Sequence, residues 1–226
     1  MLDDRDSGER LRDAVDCILD TVVQNVVSAG SLRSRRLRPP VWLARLSWLL
    51  GAGGAIAEQV AVDSELVVGD PESGLSSQAR YCDLLVRVAV EATVASTAFI
   101  IPEDPGAWDP AGELDASVDL LRDMLEEKTS ALDGSVSLER WHMWLIKDLG
   151  HAAETLTLIE RAISDDREAI DLLRRRGRVP AGESPVFGAQ GVVGMDCLVL
   201  AMHAVMASAT LAPRGYEPVM ADLPLD

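Results

Sequence analysis

Two aspartates and two histidines stand at helical spacings in the second half of the chain. Trp144, Asp148 and His151 follow one another at steps of four and three, with Trp141 three residues earlier, so a helix sets them side by side along one edge. Asp196 and His203 are two turns apart on one stripe with Leu200 between them, in a segment that is otherwise apolar nearly all round. A carboxylate beside an imidazole fixes its tautomer and orients it for proton transfer, while neighbouring indoles wall off an apolar pocket. Asp148 is expected to accept a hydrogen bond from His151. If the two segments face each other, two carboxylates and two imidazoles converge. That set suits a general base working with a general acid, or a divalent transition metal. A plainer structural reading puts Trp141 in the core, Trp144 at its boundary and Asp148 with His151 on the surface. It makes Asp196 and His203 mutually satisfied core groups, because a buried charge needs a partner. His142, on the other side of the seam, reads as a packing or boundary residue.

A second concentration of polar chemistry is cationic. Arg33, Arg35, Arg36, Arg38 and Arg45 lie together, and Arg174, Arg175, Arg176 and Arg178 form another group. Guanidinium forks suit carboxylate, phosphate or sulfate groups. The candidate catalytic residues are thus Asp148, His151, Asp196 and His203. The candidate substrate-binding residues are Trp141, Trp144, Arg36, Arg38 and Arg45. Solvated loop arginines paired with the protein's own carboxylates are the competing explanation, and those at 174–176 also complement the negative end of a helix.

The elements that must position these residues are all helical. With 226 residues and 48% hydrophobic composition the chain has material for one sizeable core. Periodicity marks a first helix from Ser7 to Ala29, stopped by Gly30, and a basic loop over 31–40. A second helix runs from Val41, bending at Gly51, Gly53 and Gly54 towards Val67. The third, Ser76 to Ile100, buries Leu84, Leu85, Val88, Ala92 and Ala95 and is stopped by Pro102. The fourth spans Ala111 to Leu132. The fifth carries a seam of Leu138, Leu145, Leu149, Ala152, Leu156, Ile159 and Ile163. A short sixth, Arg167 to Arg176, precedes a mobile or covering loop over 177–191, a seventh helix to about Leu211 and an extended tail over 212–226. The expected fold is all-α: one bundle-like domain, 1–226, of six or seven helices, two of them strongly apolar and buried.

Composition narrows the function. A formal charge of −16, from 37 acidic against 21 basic residues, argues against nucleic acid as a partner. The apolar stretches at 41–57 and 191–212 are interrupted by Arg45 and by Asp196 with His203, which argues against a membrane span. Three widely separated cysteines, Cys17, Cys82 and Cys197, without a CxxC pair, fit a reduced, cytoplasmic protein. Nineteen arginines against two lysines and a single asparagine are typical of GC-rich bacterial genomes. The motifs GxxxxGK[ST], HExxH and GxSxG and the EF-hand loop are all absent.

One stretch resembles a known family. Asp148-Leu-Gly-His151 followed by Glu168-Ala-Ile-Asp171 is similar to the ExxE and ExxD arrangement of the all-α nucleotide pyrophosphohydrolases of the MazG type. Glu168 and Asp171 match the second motif, and Asp148 and His151 stand in place of the two glutamates of the first. The resemblance covers residues 148–171 and implies a metal-dependent pyrophosphohydrolase whose carboxylates hold magnesium.

The residues themselves favour a cofactor-independent acid–base enzyme acting on a small anionic metabolite, of elimination, isomerisation or intramolecular cyclisation type. Bacterial natural-product metabolism is the expected setting, with a divalent metal as the lesser alternative. The competing expectation is a non-catalytic helical subunit of a homo- or hetero-oligomer. In that case its apolar helices, and a tail that includes Tyr216, bury against a partner chain.

Overall fold

A helix of 27 residues whose only formally charged side chain is Asp196 cannot face water cheaply, and the other helices cover most of it. The computed structural model describes residues 5–33, 44–56, 71–98, 110–131, 136–164, 166–176, 185–212 and 216–218. Among these are seven helices and no strand, packed in one bundle. They are α1 (Arg5–Arg33), α2 (44–56), α3 (Pro71–Ala98), α4 (Pro110–Ala131), α5 (Leu138–Ile163), α6 (Arg167–Arg176) and α7 (Pro185–Leu211). The apolar α7 packs against α1, α3, α4, α5 and α6, which accounts for its composition.

Its principal neighbour is α3, running antiparallel. Gln78 Nε2 donates to the Leu211 carbonyl, and Ser208 Oγ donates to the Cys82 carbonyl at 3.3 Å. At the far end, a Cβ on Gly194 would stand 3.2 Å from the Ser96 carbonyl oxygen, so the backbones meet closely there. Burial pushes the Cys82 thiol up to about 12, as expected for a weak polar group held between two core helices. From Tyr81 to Thr97 every residue of α3 except Asp83 is buried. This corrects the expectation of a single buried stripe, and it makes α3, with α7, the second enclosed helix. The segment expected in that role, α2, is amphipathic: Leu46, Leu49 and Leu50 are buried, but Trp48 is 63% exposed.

Several boundaries also move. Gly30 does not stop α1, since one glycine costs a helix only about 1 kcal/mol and the helix continues to Arg33. The glycines of α2 sit inside a continuous helix over 44–56, and the continuation towards Val67 lies outside the described residues. Pro71, which needs no amide hydrogen in the first turn, starts α3 before Gly74. Likewise α7 starts at Pro185, so 185–191 is helix rather than loop. Tyr216 packs on its own chain, donating to Asp83 Oδ1 at 2.7 Å.

The glycines of α2 allow close packing. A Cβ on Gly53 would stand 3.1 Å from Leu84 Cδ2, and one on Gly54 3.2 Å from His142 Nε2, whereas Gly51 faces open space. Gly51→Ala should therefore stabilise the protein by about 0.5–1 kcal/mol through helix propensity. Gly53→Leu should destabilise it by about 1–3 kcal/mol through overpacking. Urea unfolding midpoints of the two variants check both the signs and their difference.

Candidate functional site

The site begins with a cap. Ser137 adopts an extended backbone, and its hydroxyl accepts from the Arg140 amide at 3.4 Å, which starts α5 at Leu138. From that start Arg140, Trp144 and Asp148 fall at steps of four along one row, with Trp141 turned inward onto the core. Opposite this row lies the C-terminal half of α7, which places His203 against it.

There, Asp148 Oδ2 and His203 Nδ1 meet at 2.6 Å, with the two side chains only 12% and 14% exposed. A carboxylate that accepts here makes Nδ1 the donor, and in that tautomer of the neutral ring Nε2 is the unprotonated nitrogen. Two indoles enclose the ring. Trp141 lies 6.1 Å from His203 between centroids and Trp144 5.7 Å, and the two indoles pack edge to face at 5.1 Å. Exposure then increases outward along α5: Trp141 is fully buried, Trp144 half-buried, and the exposed Arg140 holds its guanidinium 5.2 Å from the Trp144 ring centre. The indole N–H of Trp141 meets no acceptor among the described residues. A buried donor left so costs about 1–3 kcal/mol.

The structure thus brings Asp148, His203, Trp141 and Trp144 together, and it places His151, Asp196 and Arg45 apart from that contact. His151 is exposed, and the Asp148 carboxylate reaches across to α7 instead of along its own helix. Asp196 is half-buried two turns before His203, so one carboxylate and one imidazole meet, not two of each. The Arg45 Nη2 donates to the buried Glu91 at 3.1 Å, an ion pair joining α2 to α3 rather than a grip on an anion. Arg36 and Arg38 lie outside the described residues. Arg175 Nε bonds the Asp171 carbonyl at 3.2 Å, the helix-end role expected of that cluster.

Among the described residues no three His, Cys, Asp or Glu side chains converge. Of the magnesium set implied by the resemblance, Asp148 is engaged by His203, His151 and Asp171 are exposed, and exposed Glu168 pairs with Arg161 at 3.6 Å. No family model, no curated protein and no solved structure matches this chain.

Two participants escaped sequence reasoning. Arg140 had a readable signal, its step of four to Trp144. The other, Tyr81, had none, because its partner is remote in sequence: the Tyr81 hydroxyl and His142 Nδ1 meet at 3.0 Å beside the Gly53–Gly54 backbone. His142 is thus a joint between α2, α3 and α5. Burial holds its imidazole below the usual 6.5, so at neutral pH the ring is uncharged and Nδ1 shares one hydrogen with the Tyr81 hydroxyl. Above pH 6.5 its contribution to stability is fully present. As pH falls from 6.5 through the lowered value, the unfolded chain takes up the proton first, and that contribution is lost. Urea midpoints measured across this range should fall with acid in the wild type. The slope should be reduced in His142→Asn, whatever the absolute stability of that variant.

Proposed function

We propose that the protein is an acid–base enzyme, transferring a proton to or from a small anionic molecule at His203 Nε2. The observation that carries this reading is the 2.6 Å contact between Asp148 and His203, made across two helices and enclosed by two indoles. A carboxylate that holds Nδ1 leaves Nε2 as a base of defined direction, and the same nitrogen returns the proton as an acid later in the reaction. Arg140 supports the anionic character of the substrate, since it places a cation at the exposed edge of the Trp144 wall. It takes the role that Arg45, engaged by Glu91, does not fill.

Trp141 is fully buried in ring contact with the imidazole and backs it, so the donor that can meet charge developing on a substrate oxygen is the exposed Arg140 guanidinium at the Trp144 edge. Elimination, isomerisation and cyclisation all need this combination of a base, an acid and a donor to a developing anion. Redox chemistry and a covalent nucleophile are not required by it.

The test is to incubate wild-type protein with a panel of small carboxylates and phosphate esters in deuterated water, following exchange of carbon-bound hydrogen by mass spectrometry. The reading expects exchange into at least one compound. His203→Gln should lose it by about 100-fold or more, and Asp148→Asn should reduce it while the far-UV circular dichroism stays helical. Exchange that persists in His203→Gln would show that the proton moves elsewhere.

A further inference from the structure

We propose that the groove between α4 and α7, on a different face from the Asp148–His203 pair, receives an amphipathic helix with basic flanks from a different polypeptide. A cavity of about 160 Å³ opens there, with Ser96 and Ser117 at its floor, Gly191 and Gly194 along α7, and Leu120 and Met195 at its mouth. That volume holds one bulky apolar side chain, the size of anchor that helix-in-groove partners insert. Leu120 and Met195 remain 38% and 44% exposed, so the mouth is apolar and wet. The floor asks for no polar ligand. Ser96 Oγ donates to the Thr93 carbonyl at 2.7 Å, and the Ser96 and Ser117 hydroxyls meet at 3.1 Å.

Charge decides the kind of partner. On α4, Asp119, Asp123 and Glu127 are exposed at the steps flanking Leu120, and among the described residues only Asp119 of these is paired, with Arg122 at 2.8 Å. The α7 side carries no lysine or arginine, and α4 as a whole has six carboxylates against one lysine and one arginine. A second copy of this chain, with formal charge −16, would bring a like-charged rim to this one. A helix presenting one large apolar residue between lysines or arginines satisfies the pocket and the rim together.

Gly191 provides a clean test, because a Cβ there meets nothing within 4 Å and a side chain would project into the groove without disturbing the core. The probe is a labelled synthetic helix of Leu and Lys with leucines at steps of three and four. A permuted peptide of identical composition serves as its control, and binding is read by fluorescence anisotropy at two salt concentrations. Wild-type protein should bind the amphipathic peptide saturably and more weakly at high salt. Gly191→Leu should weaken binding by about tenfold or more, and so should Glu127→Lys combined with Asp123→Lys. Equal binding of the permuted peptide, an unchanged affinity in Gly191→Leu, or no saturable binding to wild type overturns the proposal. A wild-type dimer that Gly191→Leu dissociates in sedimentation equilibrium overturns it too, giving the groove to a second copy.

Discussion

A helix as apolar as α7 can carry a histidine into a bundle only where another helix brings it a polar partner, and this requirement organises the structure around His203. The imidazole sits where α5 crosses, and Asp148 is the side chain that meets it. Removing one member of such a largely enclosed pair leaves the other without its hydrogen bond, at a cost of about 1–3 kcal/mol. The register of α5 against α7 is therefore held by a polar contact as well as by the leucine seam. Apolar packing tolerates sliding by a turn, whereas a 2.6 Å hydrogen bond does not.

The same logic recurs at the other side of the bundle. Because α3 is enclosed from Tyr81 to Thr97, its polar groups must be met by neighbours: Arg45 reaches Glu91, Tyr81 meets His142, and Ser208 bonds the Cys82 carbonyl. Two of these contacts involve α2 or the residues it covers, and the glycine face of α2 is what lets it come close enough to take part. The first turns of α5 thus carry two polar contacts facing different ways. His142 is turned to α2 and α3, and the Trp144–Asp148 row to α7. This division leaves the Asp148–His203 pair framed by rigid helices, the condition under which an imidazole keeps a fixed direction.

Much of the architecture was legible in the sequence because it follows from periodicity. The α5 seam at Leu145, Leu149, Ala152, Leu156 and Ile159, the bounds of α6 and the all-α class depend on local spacing alone and agree with the structure, whereas Leu138 is only partly buried and Ile163, expected to close the seam, is 69% exposed. The glycines and prolines misled, since one Gly is affordable inside a well-packed helix and Pro is at home in a first turn. Pairing across helices was the harder part. Asp148 and His151 share a helix face, but His151 points to water, and a carboxylate half-buried beside α7 is satisfied better by the imidazole that α7 supplies. Arg45 was read as an anion ligand for want of any local sign that Glu91, 46 residues away, is buried and needs it. Conversely, the nearness of Trp141 and Trp144 to Asp148 was legible because all three lie on one helix at steps of three and four.

The most direct test of the account is the tautomer of His203, read from the two ring nitrogens by long-range proton–nitrogen NMR on uniformly labelled protein at a pH where the ring is neutral. Asp148 acting as acceptor requires a protonated Nδ1, with its proton shifted downfield by the carboxylate, and a bare Nε2. This signature should change in Asp148→Asn. A ring protonated on Nε2 with a bare Nδ1, or a spectrum indifferent to Asp148→Asn, would mean that the pair does not orient a base and would contradict the central claim.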